Sequence, residues 1–149
     1  MTRVTGATDA PRDGREVQRR ERETAVDDTV KRILYVQTSG MEAPERSATV
    51  FFLATAAAAI DIEVGIYFTQ HGPTLLQRGA PEALHIKHGG APLSHFMDQA
   101  RDLGVRFYVC QPSLDLNELK LADLIEGVEM IGGAAFNNMA LEADRVICF

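Results

Sequence analysis

The chain has 149 residues, of which 46% are hydrophobic and 24% charged, with a formal net charge of −6. That length sets one domain, able to bury a core, as the first expectation. Met1–Arg32 holds eight Lys/Arg and seven Asp/Glu, while residues 33–149 hold seven basic and fourteen acidic residues; so acidic a body argues against a nucleic-acid partner, which needs a basic face.

Residues 1–32, with the stretch REVQRRERE, carry too little apolar surface to offset the entropy of ordering, so a flexible charged tail is expected ahead of a domain at 33–149. Its acids argue against a transit peptide, and no apolar segment follows that would make a secretory signal. The longest uncharged run, Ser47–Ile60, falls short of the ~18 apolar residues of a spanning helix. The expectation is a cytoplasmic protein without a membrane partner, and its two cysteines, Cys110 and Cys148, are then expected to rest unpaired.

From Ile33 the pattern changes. ILYVQT reads as a strand, SGMEAP as a turn, and Pro44–Ile60 as a helix with Pro44 in its first turn and Glu45 near the positive end of the dipole. Ile62–Phe68 is a second strand, TQHGPTLLQRG a turn into a short helix ending at Gly79, and residues 80–92 an irregular excursion. In the next helix Leu93, Phe96, Met97, Ala100 and Leu103 share one face, and Gly104 stands at its C-terminal cap. VRFYVC is a third strand. PSLDLNELKLADLIEG holds one helix or two, with Leu121, Leu124 and Ile125 inward; VEMIGG is a strand, AAFNNMALEA a helix, and RVICF a fifth strand.

Strands that alternate with helices and are apolar throughout predict a three-layer α/β/α domain with a five-stranded, mainly parallel sheet of flavodoxin-like layering. Reactive groups in such sheets collect beyond the carboxyl ends of the strands, which here carry TSGMEAP, TQHGPT, CQPSLD and GGAAFNN. The helix from Thr49 to Ile60 is apolar around its whole circumference. Phe51 and Phe52 cannot both face the sheet, so a self-association surface is expected.

Cysteine is often a small inert core residue, and that reading suits Cys148 in the apolar run VICF. Cys110 is placed differently: with Gln111 as N-cap and Pro112 in the first helical position, it precedes a helix whose free N–H groups favour a thiolate. Placement alone leaves both readings of Cys110 open. Neither a CxxC dithiol nor an HExxH zinc motif is present. His71, His85, His88 and His95 are bunched, yet HIKH has no partner cysteine or carboxylate at ligand spacing, so no metal and no cofactor are expected. Gly132–Gly133 opens a helix and reads as a tight turn, or as a weak anion cradle.

FYVCQPSLDL, followed by LADLIEGVEMIGGAAFNNMALEADRVICF, resembles the DsrE/DsrF-like family, in particular its peroxiredoxin-like branch of DsrE-type sulfur carriers. ILYVQTSGMEAPERSATVFFLATAA and VGIYFTQHGPTLLQRG are similar to the family's first strand–helix unit and its Phe-Thr-x-x-Gly turn. The resemblance covers residues 31–149 and departs where Pro112-Ser113-Leu114 replaces a methionine-rich stretch. It implies a three-layer fold assembled into trimers or hexamers. It also implies a cysteine, matching Cys110, that holds sulfane sulfur as a persulfide or thiosulfonate and passes it between rhodanese-like and TusA-like proteins, as a carrier rather than a turnover enzyme. Gln111, Ser113, Gly132, Gly133, Gln70 and His71 are the expected supporting residues. The alternatives are an oligomeric structural or regulatory protein with an inert thiol, a peroxidase, for which the Thr/Ser–x–x–Cys pattern and partner arginine are missing, and a nucleotide- or CoA-like binder.

Overall fold

The computed structural model describes residues 31–149; apart from Lys31 and Arg32, the expected tail lies outside the described residues. The elements are β1 (Arg32–Gln37), α1 (Pro44–Ala58), β2 (Glu63–Phe68), α2 (Ala80–Ala83), α3 (Leu93–Asp102), β3 (Arg106–Cys110), α4 (Gln111–Leu116), β4 (Val128–Ile131), α5 (Gly133–Glu142) and β5 (Arg145–Cys148). Single 3-10 turns cover Gly72–Leu76 and Leu121–Asp123. The 80–92 excursion contains α2 and closes on itself through a bridge between His85 and Pro92.

The sheet runs β4-β3-β2-β1-β5, and every pairing is parallel. From β1 to β4 the chain steps in one direction; it then reverses to lay β5 beside β1. Right-handed crossovers therefore send α1, α3 and α4 to one face and α5 to the other. The first face carries the main core: Tyr35, Ile66, Phe68, Phe107 and Val109 from the strands meet Val50, Phe51 and Ala54 of α1 and Leu93, Met97 and Ala100 of α3. Phe51 is its centre, with ring centroids 6.0 Å from Phe68 and 5.7 Å from Phe107. The second face is thinner. There Leu34, Val36, Tyr67, Tyr108 and Ile131 are covered by one helix, through Phe136, Met139, Ala140 and Ala143. Cys110 packs against this thin face.

As expected, only one of the two adjacent phenylalanines of α1 is buried: Phe51 is fully buried and Phe52 is 66% exposed. Phe52, Leu53 and Ile60 form an exposed apolar flank, and Ile147 on the edge strand is exposed as well. Other expectations are corrected. Leu121 points outward because its 3-10 turn is too short to follow the helical spacing on which the inward placement rested, whereas Leu124 is buried. Leu103 lies past the end of α3, where Gly104 at φ 84° turns the chain, and is exposed. Cys148 is exposed rather than buried, because β5 is an edge strand under little cover.

A cavity of about 210 Å³ lies between β1–β3 and α5, lined in part by Arg32, Leu34, Gly65, Tyr108 and Met139. It opens at the amino ends of the strands, opposite Cys110. The rim arginine Arg32 is already engaged by Glu63 at 2.8 Å and Glu142 at 3.5 Å. Ligand sites in parallel sheets form at the other edge, so this cavity is not part of the thiol site.

Candidate functional site

β3 ends in Cys110, and the chain passes without a loop into α4. Cys110 is itself the N-cap, with extended backbone (φ −76°, ψ 122°); Gln111 and Pro112 are the first two helical residues. The expected cap, Gln111, is thus displaced by one position, and the sulfur gains from the shift. An N-cap side chain faces the unpaired N–H groups of the second and third helical residues. Pro112 has none to offer, which leaves that of Ser113.

Ser113 is buried while Cys110 is only partly so. The Ser113 Oγ accepts the Gln70 N–H at 2.8 Å and lies 3.2 Å from Thr69 Oγ1. The Gln70 N–H takes one of its lone pairs, and the Ser113 proton is available to the neighbouring sulfur. Burial pushes the Cys110 thiol up, but the Ser113 hydroxyl, the Tyr67 phenol, the Ser113 N–H and the Thr69 hydroxyl outweigh it, and the net shift is downward. These donors therefore act chiefly on the ionised form, as expected of groups that stabilise charge. Tyr67 responds in the opposite sense: burial, and then its bond to Cys110, raise its phenol and keep it protonated. Its ring stacks on Phe136 at 4.4 Å, which fixes it beneath α5.

The other expected residues divide. Gln70 takes part through its backbone; its side chain is exposed, and its φ of 52° is a left-handed conformation unusual for a residue with a side chain. His71 turns away from the sulfur to Asn117 Oδ1, 3.1 Å from its Nδ1. Gln111 is exposed at the rim. Ile131 pairs in register with Cys110, which brings Gly132 and Gly133 to the same edge, where a Cβ on either would meet nothing within 4 Å. Neither has a positive φ: Gly132 is the extended N-cap of α5 and Gly133 its first residue, so the pair makes a direct strand-to-helix connection that leaves an open approach. Cys148 is three strands from Cys110, about 14 Å at ordinary strand spacing, too far for a disulfide within one chain. Among the described residues no group of three His, Cys, Asp or Glu is placed to hold a metal ion.

Sequence reasoning missed Tyr67, Thr69 and Asn117. Alternation along β2 signals Tyr67, since it puts residue 67 on the face opposite the buried Ile66 and Phe68. Thr69 and Asn117 give no such signal, because their partners are 44 and 47 residues away.

A doubly wound parallel sheet with a cysteine at its carboxyl edge defines a class of small α/β proteins. Residues 31–149 match the DsrE/DsrF-like family, and the chain belongs to it. The uncharacterised protein MJ0760 of Methanocaldococcus jannaschii is 27% identical over 124 residues, covering 81% of this chain; the chain spans only 43% of that relative's length. The sulfur carrier protein DsrE2 of Allochromatium vinosum is 26% identical, over 63% of this chain and 84% of its own. Among solved structures, ychN of E. coli superposes with a TM-score of 0.66 at 18% identity, and MTH1491 of Methanobacterium thermoautotrophicum with 0.55 at 15%. Each alignment covers 81% of this chain and all of the other; at those identities the likeness is one of fold. No described helix is long and apolar enough to cross a membrane.

Proposed function

We propose that the protein is a sulfur carrier whose Cys110 holds sulfane sulfur and passes it from a donor to an acceptor. The supporting observation is the ring of donors from Ser113, Tyr67 and Thr69, which lowers the thiol despite its partial burial; similarity to a relative named a sulfur carrier points the same way. In the first step the Cys110 thiolate attacks the outer sulfur of a donor persulfide. A new S–S bond forms, the donor's S–S bond breaks, and its electron pair leaves with the donor thiolate. In the second step an acceptor thiolate attacks the outer sulfur of the Cys110 persulfide, and Cys110 leaves as the thiolate. No net oxidant or reductant is consumed, and thiolate character with access suffices. Access comes from the open start of α5 at Gly132–Gly133, with exposed Gln111 and Pro112 opposite.

Donor and acceptor are thiol proteins of the rhodanese-like and TusA-like kind, in the reducing cytoplasm. The exposed flank of Phe52, Leu53 and Ile60 is where copies of the chain associate, as a trimer or hexamer. Site-resolved alkylation with iodoacetamide at about pH 6, well below the ordinary thiol value of ~8.5, tests the reading. Cys110 is expected to be modified well before the more exposed Cys148; equal sluggishness of both thiols would favour an inert oligomer instead.

A further inference from the structure

The turn that delivers the Gln70 N–H to Ser113 is not held by its own backbone preferences. Gln70 occupies the left-handed region at φ 52°, a conformation that costs on the order of 1 kcal/mol or more without glycine and persists only where surroundings enforce it. Backbone bonds from Thr69 to Gln37, from His71 to Thr38 and from Gly72 to Thr69 tie the turn to β1 and to itself, and Asn117, the C-cap of α4, ties it to the helix. Its Nδ2 donates both to the Gln70 carbonyl and to the Ser113 carbonyl, each at 2.6 Å, and its Oδ1 lies 3.1 Å from His71 Nδ1. One amide thus uses both of its N–H groups and its oxygen to join the Thr69–His71 turn to the helix that bears Ser113. Asn117 is half-buried, and the next residue, Glu118, is left-handed at φ 55°, the usual way for a helix to end.

We propose that Asn117 is a positioning residue for Cys110: its amide clamps the Thr69–His71 turn onto α4, so that the Gln70 N–H occupies Ser113 Oγ and the Ser113 proton is directed to the sulfur. Asn117 fixes the Gln70 carbonyl, the same residue's N–H donates to Ser113 Oγ, and Ser113 Oγ borders the sulfur. Without the clamp the Gln70 peptide loses its anchor to α4 and Ser113 turns its proton to Thr69 or to water. Tyr67 from β2 is the titratable neighbour acting directly on the sulfur, and it stays in place because Phe136 holds it. His71 stands one bond removed, on the far side of Asn117. The proposal rests on Cys110 being the working thiol, and on nothing further in the carrier reading.

The test is the pH profile of iodoacetamide alkylation in a Cys148→Ser background, with and without Asn117→Ala, alongside the thermal midpoint of each. Asn117→Ala is expected to move the inflection to higher pH and to slow the reaction near neutrality about fivefold, with an alkaline plateau equal to or somewhat above the parent's, since a thiolate of higher pKa is the stronger nucleophile. A profile that superimposes on the parent's, even with a lowered midpoint, would reduce Asn117 to a structural cap and overturn the proposal. Should the alanine variant fail to fold, Asn117→Ser decides: its hydroxyl still back-bonds to the Ser113 carbonyl but does not reach Gln70, so the same displacement is expected and an unmoved profile is contrary. Sulfur loading of the unaltered chain separates the two ideas. If loading fails while the Asn117 profile moves, the carrier reading falls and the clamp stands; if loading succeeds and the profile does not move, the clamp falls.

Discussion

Replacing Ser113 by alanine removes the strongest of the groups that favour the Cys110 thiolate. Two effects follow, and their sizes differ. The lost hydroxyl leaves the Gln70 N–H without its acceptor at 2.8 Å in a part-buried setting, so the stability cost is about 1 kcal/mol, the low end for an unsatisfied donor. A hydrogen bond to a charged group is worth about 1.5–3 kcal/mol, and a partly exposed sulfur takes the low end of that range. Since ~1.4 kcal/mol is a factor of ten, the thiolate-to-thiol ratio at a given pH falls about tenfold. The electrostatic effect therefore outweighs the structural one. Thiolate ultraviolet absorbance, titrated in a Cys148→Ser background, reads it directly: the Ser113→Ala curve is expected to lie to the alkaline side of the parent's, with a melting temperature a few degrees lower. Superimposed curves would refute the assignment of Ser113 as a donor to sulfur.

Tyr67 is raised above its ordinary value by burial and then by Cys110. A group held protonated in the fold contributes stability that is complete below its unfolded value of about 10 and is lost as pH rises beyond it. The parent is thus expected to lose melting temperature steeply above about pH 10 and Tyr67→Phe to lose less; parallel curves would contradict this. At Gly72 an added Cβ overlaps the Gln37 carbonyl oxygen, a backbone atom that cannot swing aside, so Gly72→Ala is expected to cost about 1–3 kcal/mol in urea unfolding. An unchanged urea midpoint would show that the turns after β1 and β2 are not in contact. Phe52 is two-thirds exposed on an apolar flank. Sedimentation should therefore find an oligomer at micromolar concentration that Phe52→Lys dissociates, and a monomeric parent would remove the basis for an interface there.

The fold was legible where local pattern and tertiary role agree. Ile33–Val36, Ile66–Phe68 and Phe107–Val109 are apolar because both faces of the central strands are covered, and the sequence shows that as unbroken hydrophobic runs. It misled at β5, where VICF reads the same although the strand lies at the edge, since the reversal of chain direction after β4 decides burial there and leaves no local mark. Leu103 and Leu121 failed for a related reason: each continues a helical spacing beyond the point where the helix stops. For the site, the position of Cys110 at the carboxyl edge was readable from the order of elements alone. Its donors were readable only in part. Ser113 lies within the same helix, but Asn117 acts through Gln70, and a contact spanning 47 residues between two surface turns has no periodicity to betray it.

Mass spectrometry of the intact protein tests the central claim most directly. The chain is incubated with a small-molecule persulfide donor, measured, then chased with an acceptor thiol and measured again. The account predicts a gain of one sulfur atom mapped to the Cys110 peptide, absent in Cys110→Ser, retained in Cys148→Ser and removed by the chase. A gain that survives Cys110→Ser, or no gain in the unaltered chain, would contradict it.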